Sequence, residues 1–106
     1  MPVNATVLYP AEADATFDLN YYLKTHMPLV SENWGQYGLK GWQVIQFQPA
    51  PDGAKPYSIG ALLTWDDADG LKKALASKEA ATVFGDVPNF SNKSPLFIAG
   101  DIVGSS

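Results

Sequence analysis

The chain has no cysteine, no arginine and only one histidine among its 106 residues. Without cysteine it can form no disulfide, thiolate nucleophile, zinc ribbon or iron–sulfur cluster. One imidazole per chain also rules out a multi-histidine metal centre built by a single copy. The missing arginines and a formal net charge of -4 argue against nucleic acid, which is bound through basic patches and bidentate guanidinium contacts. The same deficit argues against an anionic membrane surface.

Long apolar segments are also missing. No run approaches the ~20 residues needed to span a bilayer, and "MPVNATVLYP" lacks the basic segment and apolar core of a signal peptide. We therefore expect a cytoplasmic protein. The chain does have a hydrophobic fraction of 46% and three tryptophans, a composition typical of a folded globule. Its length predicts a single domain spanning residues 1–106.

Four segments have the composition of strands, and two regions between them have helical periodicity. The predicted strands are Val3–Tyr9, Trp42–Gln48, Tyr57–Trp65 and Leu96–Val103. The first helix begins after Asp18, a good N-cap, and ends at Gly35; the second helical region begins at Asp66 or Asp67 and breaks at Ser77. The order β-α-β-β-α-β predicts an α+β fold of the ferredoxin-like type, with a four-stranded antiparallel sheet and helices on one face.

The face of this sheet away from the helices is predicted to be apolar as well. In the third strand every second residue is apolar, and Leu62 lies between two of these residues and so faces the other side of the sheet. In the last strand the neighbours Phe97 and Ile98 are both apolar, although they face opposite sides. Strands that are apolar on both faces are buried on both faces. In a chain this short, a second copy is the simplest cover. We therefore expect a homodimer formed through the sheets.

Three stretches resemble the EthD-like family, which is named for ethyl tert-butyl ether degradation. In chain order they are "FDLNYYLKTHMPLV", "WGQYGLKGWQV" and "DVPNF", and all three precede the final strand. The most specific part is Tyr21 and Tyr22 followed by His26 and Pro28. The resemblance implies a member of the dimeric α+β barrel superfamily. In that superfamily ferredoxin-like subunits pair into a barrel, and each keeps a small-molecule cavity between its sheet and its helices.

His26 is the strongest candidate for chemistry, because imidazole has an unperturbed pKa of ~6.5 and both takes and gives a proton near neutral pH. Tyr22 lies one turn earlier on the same helical face and is a second catalytic candidate. Pro28 lacks a backbone donor and disfavours helical geometry at the residue before it. We therefore expect a kink near His26 that aims the imidazole into a cavity. The alternative is a partly buried packing residue.

Asp101 is the third catalytic candidate. It lies inside the last predicted strand in opposite phase to Ile98 and Ile102, so we expect it on the helix-covered face. A buried carboxylate needs a partner. Asp101 therefore either orients His26 or forms a structural pair with a lysine.

Aromatic residues are more numerous than a core this small requires, and some are predicted to line a pocket for an apolar ligand. The candidate ligand-binding residues are Tyr9, Trp34, Trp65, Asn89 and Phe90. The alternative is that the aromatic residues fill the core and the dimer interface, and that Asn89 shapes the turn after Pro88.

The resemblance leaves the chemistry open. EthD proteins accompany a cytochrome P450 ether-degrading system, similar fungal domains are described as dehydratases or cyclases, and superfamily relatives include cofactor-free monooxygenases, isomerases and haem-handling enzymes. We first expect a cofactor-independent enzyme that isomerises, cyclises or dehydrates a small hydrophobic, oxygenated substrate. The second hypothesis is a non-catalytic dimer that binds a pathway intermediate. The third is a haem-handling protein with His26 as axial ligand; the first two need no metal or cofactor.

Overall fold

The computed structural model describes residues 2–106. Within them, four strands form one antiparallel sheet in the order β2-β3-β1-β4, so that β1 and β3 are central. The strand bounds are β1 Val3–Pro10, β2 Leu39–Gln46, β3 Tyr57–Trp65 and β4 Leu96–Asp101. This topology, with the helices described below, confirms the predicted ferredoxin-like α+β fold.

β1 extends one residue beyond its predicted end, whereas β2 and β4 differ by more from their predicted bounds because of their pairing partners. β2 begins at Leu39, not Trp42, because Leu39 pairs with Trp65 at the far end of β3. β4 ends at Asp101, not Val103, because its partner β1 begins at Val3, directly opposite Asp101. Hydrophobic pattern places residues on a face, whereas the length of a ladder depends on the neighbouring strand.

The first helical region changes its hydrogen-bonding pattern at His26. It consists of α1 (Leu19–Tyr21), a π-helical turn (Tyr22–His26) and α2 (Met27–Trp34). The Asp18 carboxylate caps its start by accepting the Tyr21 N–H at 3.0 Å. The Met27 N–H donates to the carbonyl of Tyr22, five residues back. The irregularity expected before Pro28 is thus a widened turn, which lets the helix continue through a residue that has no N–H to donate.

The second helical region is split, as its sequence predicts. It consists of α3 (Ala68–Ala76) and α4 (Lys78–Gly85), and the extended backbone of Ser77 separates them. Asp67 is the N-cap, and its Oδ1 accepts the Gly70 N–H at 2.8 Å. A short 3₁₀ turn follows α4 and leads towards β4.

The two faces of the sheet have different surroundings. The helix-covered face carries the buried residues Val3, Ala5, Val7, Tyr9, Ile59, Ala61, Leu63 and Trp65. On the open face, Leu8 lies opposite Leu96, and Thr6 lies opposite both Leu62 and Ile98. Leu96 is 47% exposed and Ile98 is 52% exposed. An apolar surface is therefore left without cover on the side away from the helices.

Candidate functional site

A small cavity lies between the covered face of the sheet and the helices. Its volume is about 30 Å³, which is room for about two water molecules and far below the ~300–1,000 Å³ of a typical ligand pocket. Apolar side chains of β1, β3, β4, α2 and α4 form most of its wall. Four candidates from the sequence line it: Tyr9, Tyr22, His26 and Trp34.

His26 is buried in this wall, with 4% of its surface exposed. It is the last residue of the π-helical turn, and the Tyr22 ring stacks on it at 5.1 Å between centroids with 14° between the planes. The Phe90 ring packs against it as well, with 4.5 Å between the two ring centroids. The widened turn and these two rings fix where the imidazole lies.

Asp86 is the partner of His26, and the sequence reasoning did not identify it. Its Oδ2 lies 2.9 Å from Nδ1 of His26. Its Oδ1 accepts the Tyr21 hydroxyl at 2.7 Å and the Asn89 side-chain amide at 2.8 Å. Burial alone would raise the pKa of Asp86, but the hydrogen bonds from Asn89, Tyr21 and His26 outweigh it and hold the pKa below its usual value. The carboxylate is therefore ionised at neutral pH.

The pKa of His26 lies below its ordinary value. Burial lowers it, and the hydrogen bond and the charge of Asp86 reverse only part of that effect. The imidazole is consequently neutral at pH 7. Because an ionised carboxylate accepts and does not donate, Nδ1 carries the hydrogen and Nε2 carries the lone pair. Within residues 2–106, Nε2 has no hydrogen-bond partner. The His26–Asp86 pair thus leaves Nε2 of His26 as a basic nitrogen that is free to take a proton.

The two tyrosines of the cavity keep their protons. Burial raises the pKa of Tyr22 to about 12. Burial and the neighbouring Tyr22 raise the pKa of Tyr9 further still. At neutral pH both hydroxyls are protonated, so Tyr22 is suited to donate a hydrogen bond to a ligand but not to act as a base.

The structure does not bring the remaining candidates into the cavity. Trp65 is buried behind Trp34, and Phe90 packs against the His26 ring outside the cavity wall. Asn89 is exposed and donates to Asp86, not to a ligand.

Asp101 lies on the predicted face of the sheet, opposite Val3, but is not buried there. It is exposed at the end of β4, and no hydrogen bond joins it to His26. The expectation that Asp101 orients the imidazole is therefore corrected, because Asp86 does so.

A weak signal for Asp86 was present in the sequence. Asp86 opens the stretch "DVPNF", which carries part of the family resemblance, and directly follows Gly85 at the end of α4. An acidic residue at a helix C-terminus is disfavoured by the helix dipole, so its presence there called for a partner elsewhere. No local pattern, however, names that partner.

Among residues 2–106, no group of three or more histidine, aspartate or glutamate side chains is placed to hold a metal ion. In the same part of the chain, no helix has the length and apolar character needed to cross a membrane.

The chain is similar over nearly its whole length to solved EthD-like structures. An EthD-like protein from Ralstonia eutropha JMP134 is 24% identical, with a TM-score of 0.87 over 99% of this chain and 95% of that protein. An EthD family protein from Bacillus halodurans C-125 is 22% identical, with a TM-score of 0.76 over 97% of this chain and 100% of that protein. These findings confirm the resemblance noted in the sequence at the level of the fold.

A third solved structure is a dimeric ferredoxin-like protein of unknown function from Jannaschia sp. CCS1. It is 14% identical, with a TM-score of 0.68 over 96% of this chain and 100% of that protein. No model of a known protein family matches the chain. No curated protein matches it either.

Proposed function

We propose that this chain is a cofactor-independent enzyme that moves a proton on a small hydrophobic, oxygenated substrate. One observation carries the proposal: a buried imidazole hydrogen-bonds a carboxylate through Nδ1 at 2.9 Å, while it lines an apolar cavity. A neutral histidine held in one tautomer by a carboxylate is a typical general base.

His26 and Asp86 have distinct roles in this mechanism. Nε2 of His26 takes a proton from the substrate, and the Asp86 carboxylate stabilises the imidazolium that forms. His26 then returns the proton to a different atom of the substrate, which gives an isomerisation, a cyclisation or, after loss of water, a dehydration. The Tyr22 hydroxyl supplies a hydrogen bond from the same wall. A positioned group of this kind accelerates a reaction by ~10²–10⁴.

The size of the cavity requires that substrate binding opens it. Phe84 lines the cavity and is 41% exposed, and Phe97 beside it is half-buried. Their rings lie 6.4 Å apart in an edge-to-face arrangement. We place the entrance between them, because an exposed ring loses less packing on moving than a buried one.

The proposal is tested by proton exchange from carbon. The wild type, His26→Ala and Asp86→Asn are incubated in D₂O with a panel of small ketones, lactones and phenols, and deuterium uptake is followed by NMR. We expect the wild type to accelerate exchange of at least one compound and His26→Ala to lose about 10²-fold or more. Asp101→Asn is the matched control and should exchange at the wild-type rate. Equal rates for the wild type and His26→Ala would end the proposal.

The second candidate is a non-catalytic binding protein. The wall of the cavity favours it, because apart from His26 and two tyrosines every residue that lines it is apolar. This candidate predicts that compounds of the panel bind without exchange, and that His26→Ala changes affinity only modestly. The haem hypothesis is disfavoured, since the chain has no arginine to pair with propionates.

We also propose that the protein is a homodimer paired through the open face of its sheet, in the cytoplasm. Leu96 and Ile98 leave an apolar surface exposed on that face, and the similar protein from Jannaschia is described as dimeric. Ile98→Glu should convert the protein to a monomer in sedimentation experiments, because it would bury a charge from each copy in an apolar interface. Leu75→Glu, on the exposed side of α3, is the control and should remain dimeric. A monomeric wild type would contradict the proposal.

A further inference from the structure

The adjacent tyrosines Tyr21 and Tyr22 contact the His26–Asp86 pair from different sides. The Tyr22 ring stacks on His26 and lines the cavity. Tyr21 is half-buried and does not line the cavity, and its hydroxyl donates to Oδ1 of Asp86 at 2.7 Å. The mechanism proposed above gives Tyr22 a role and leaves Tyr21 without one.

The Asp86 carboxylate is held at both of its oxygens. Oδ2 lies 2.9 Å from Nδ1 of His26, and Oδ1 accepts the Tyr21 hydroxyl and, at 2.8 Å, the Asn89 side-chain amide. The two donors to Oδ1 come from different elements, because Tyr21 is the last residue of α1 and Asn89 lies in the 3₁₀ turn after α4. A rotation that takes the carboxylate away from His26 therefore breaks both of these bonds as well.

The place of Asp86 in the chain makes such support necessary. Asp86 directly follows α4, where the helix dipole disfavours a negative charge. Only 10% of its side chain is exposed, so water supplies few hydrogen bonds in compensation. Burial raises the pKa of this carboxyl, and the bonds from Asn89 and Tyr21 are among those that lower it. They thereby help to keep Asp86 an acceptor for His26.

We propose that Tyr21 is a positioning residue, which together with Asn89 holds Oδ1 of Asp86 so that Oδ2 stays on Nδ1 of His26. This inference rests on the function proposed above and deepens it. Nε2 of His26 is a base only in the tautomer that the Asp86 contact selects. Because Tyr21 does not line the cavity, it acts through Asp86 and not on a substrate.

The tautomer of His26 tests the inference without any substrate. His26 is the single histidine, so long-range ¹H–¹⁵N NMR spectra show its two ring nitrogens without assignment. At about pH 8 the imidazole is neutral, and a nitrogen with hydrogen differs clearly in chemical shift from one with a lone pair. We expect the wild type to carry the hydrogen on Nδ1. In Tyr21→Phe the ratio of the Nδ1–H to the Nε2–H tautomer should fall about 2- to 10-fold, and Asn89→Ala should lower it as well.

Tyr37→Phe is the matched control. Tyr37 is also half-buried, and its hydroxyl donates to a carboxylate oxygen, Oε1 of Glu79, at 2.6 Å. The substitution removes the same kind of bond from a pair that includes neither His26 nor Asp86. Tyr21→Phe and Tyr37→Phe should therefore lower the melting temperature alike, but only Tyr21→Phe should change the tautomer ratio. In the deuterium-exchange assay Tyr21→Phe should be about 2- to 10-fold slower than the wild type, and Tyr37→Phe should not be slower.

The positioning role and the proposed function fail in different ways. A wild type with its hydrogen on Nε2 would overturn the positioning role, and so would a wild-type tautomer ratio in both Tyr21→Phe and Asn89→Ala. Asn89 is exposed, so Asn89→Ala still decides the matter if Tyr21→Phe folds poorly. A changed ratio in these variants, with no deuterium exchange by the wild type on any compound, would support the positioning role and overturn the proposed enzyme.

Discussion

Replacing Asp86 by alanine removes the carboxylate that receives hydrogen bonds from His26, Tyr21 and Asn89. The three donors are not equivalent. His26 is buried, so its Nδ1–H is left without an acceptor. Tyr21 is half-buried and Asn89 is exposed, so water replaces the lost acceptor at little cost.

The expected loss of stability is therefore dominated by the His26 bond. A hydrogen bond to a charged group contributes about 1.5–3 kcal/mol, and the two exposed bonds add a few tenths each, which gives about 2–4 kcal/mol for Asp86→Ala. For a domain of this size, that corresponds to a fall in melting temperature of about 8–16 °C. Asp86→Asn keeps one acceptor oxygen and should lie between the wild type and Asp86→Ala.

Thermal unfolding at one fixed protein concentration measures the effect, because a dimer's melting temperature depends on concentration. Asp101→Ala is the control, since Asp101 is exposed, and should lie within about 0.5 kcal/mol of the wild type. His26 is the single histidine, so its ring protons report its pKa without assignment. In Asp86→Ala that pKa should fall further, because the carboxylate that raised it is gone. Equal melting temperatures for Asp86→Ala and Asp101→Ala would refute the pairing.

Three further predictions concern other parts of the molecule. Burial holds the pKa of folded His26 below its ordinary value of 6.5, so the unfolded chain binds more protons than the folded chain at pH values between the folded pKa and 6.5. The free energy of unfolding, measured by urea titration, should therefore rise with pH across that window and then level off. His26→Gln should abolish the rise. Gly70→Ala should destabilise the fold by about 1–3 kcal/mol, because its Cβ would collide with the backbone carbonyl of Tyr37, whereas Gly35→Ala, which meets open space, should be nearly neutral in the same measurement. Phe84→Ala should speed ligand association in stopped-flow experiments by opening the proposed entrance, and an unchanged association rate would place the entrance elsewhere.

The element order and the capping residues were predictable because they depend on local chemistry. Asp18 and Asp67 act on backbone N–H groups three residues away, and Pro28 acts on its own helix. Alternation along β1 likewise assigns each side chain to a face without knowledge of the neighbouring strands. The ends of β2 and β4 were not predictable in this way, because a strand stops where its partner does.

The candidate site was predictable only where a local pattern pointed to it. His26 and Tyr22 lie one helical turn apart, and their shared face follows from helical periodicity alone. Asp101 shows the limit of such patterns, because the phase of a strand assigns a face but not a depth, and Asp101 lies at the end of an edge strand where nothing covers it.

By itself the sequence determined the order of strands and helices, the apolar character of both sheet faces and the single titratable imidazole beside a proline. Only the tertiary structure brought Asp86 to His26, because the two are 60 residues apart and meet where the turn after α4 lies against the π-helical turn. That meeting sets the tautomer of the imidazole and leaves Nε2 without a partner within residues 2–106. Local propensities act over a few residues, whereas the chemistry of this site depends on a contact that exists only once the helices pack on the sheet.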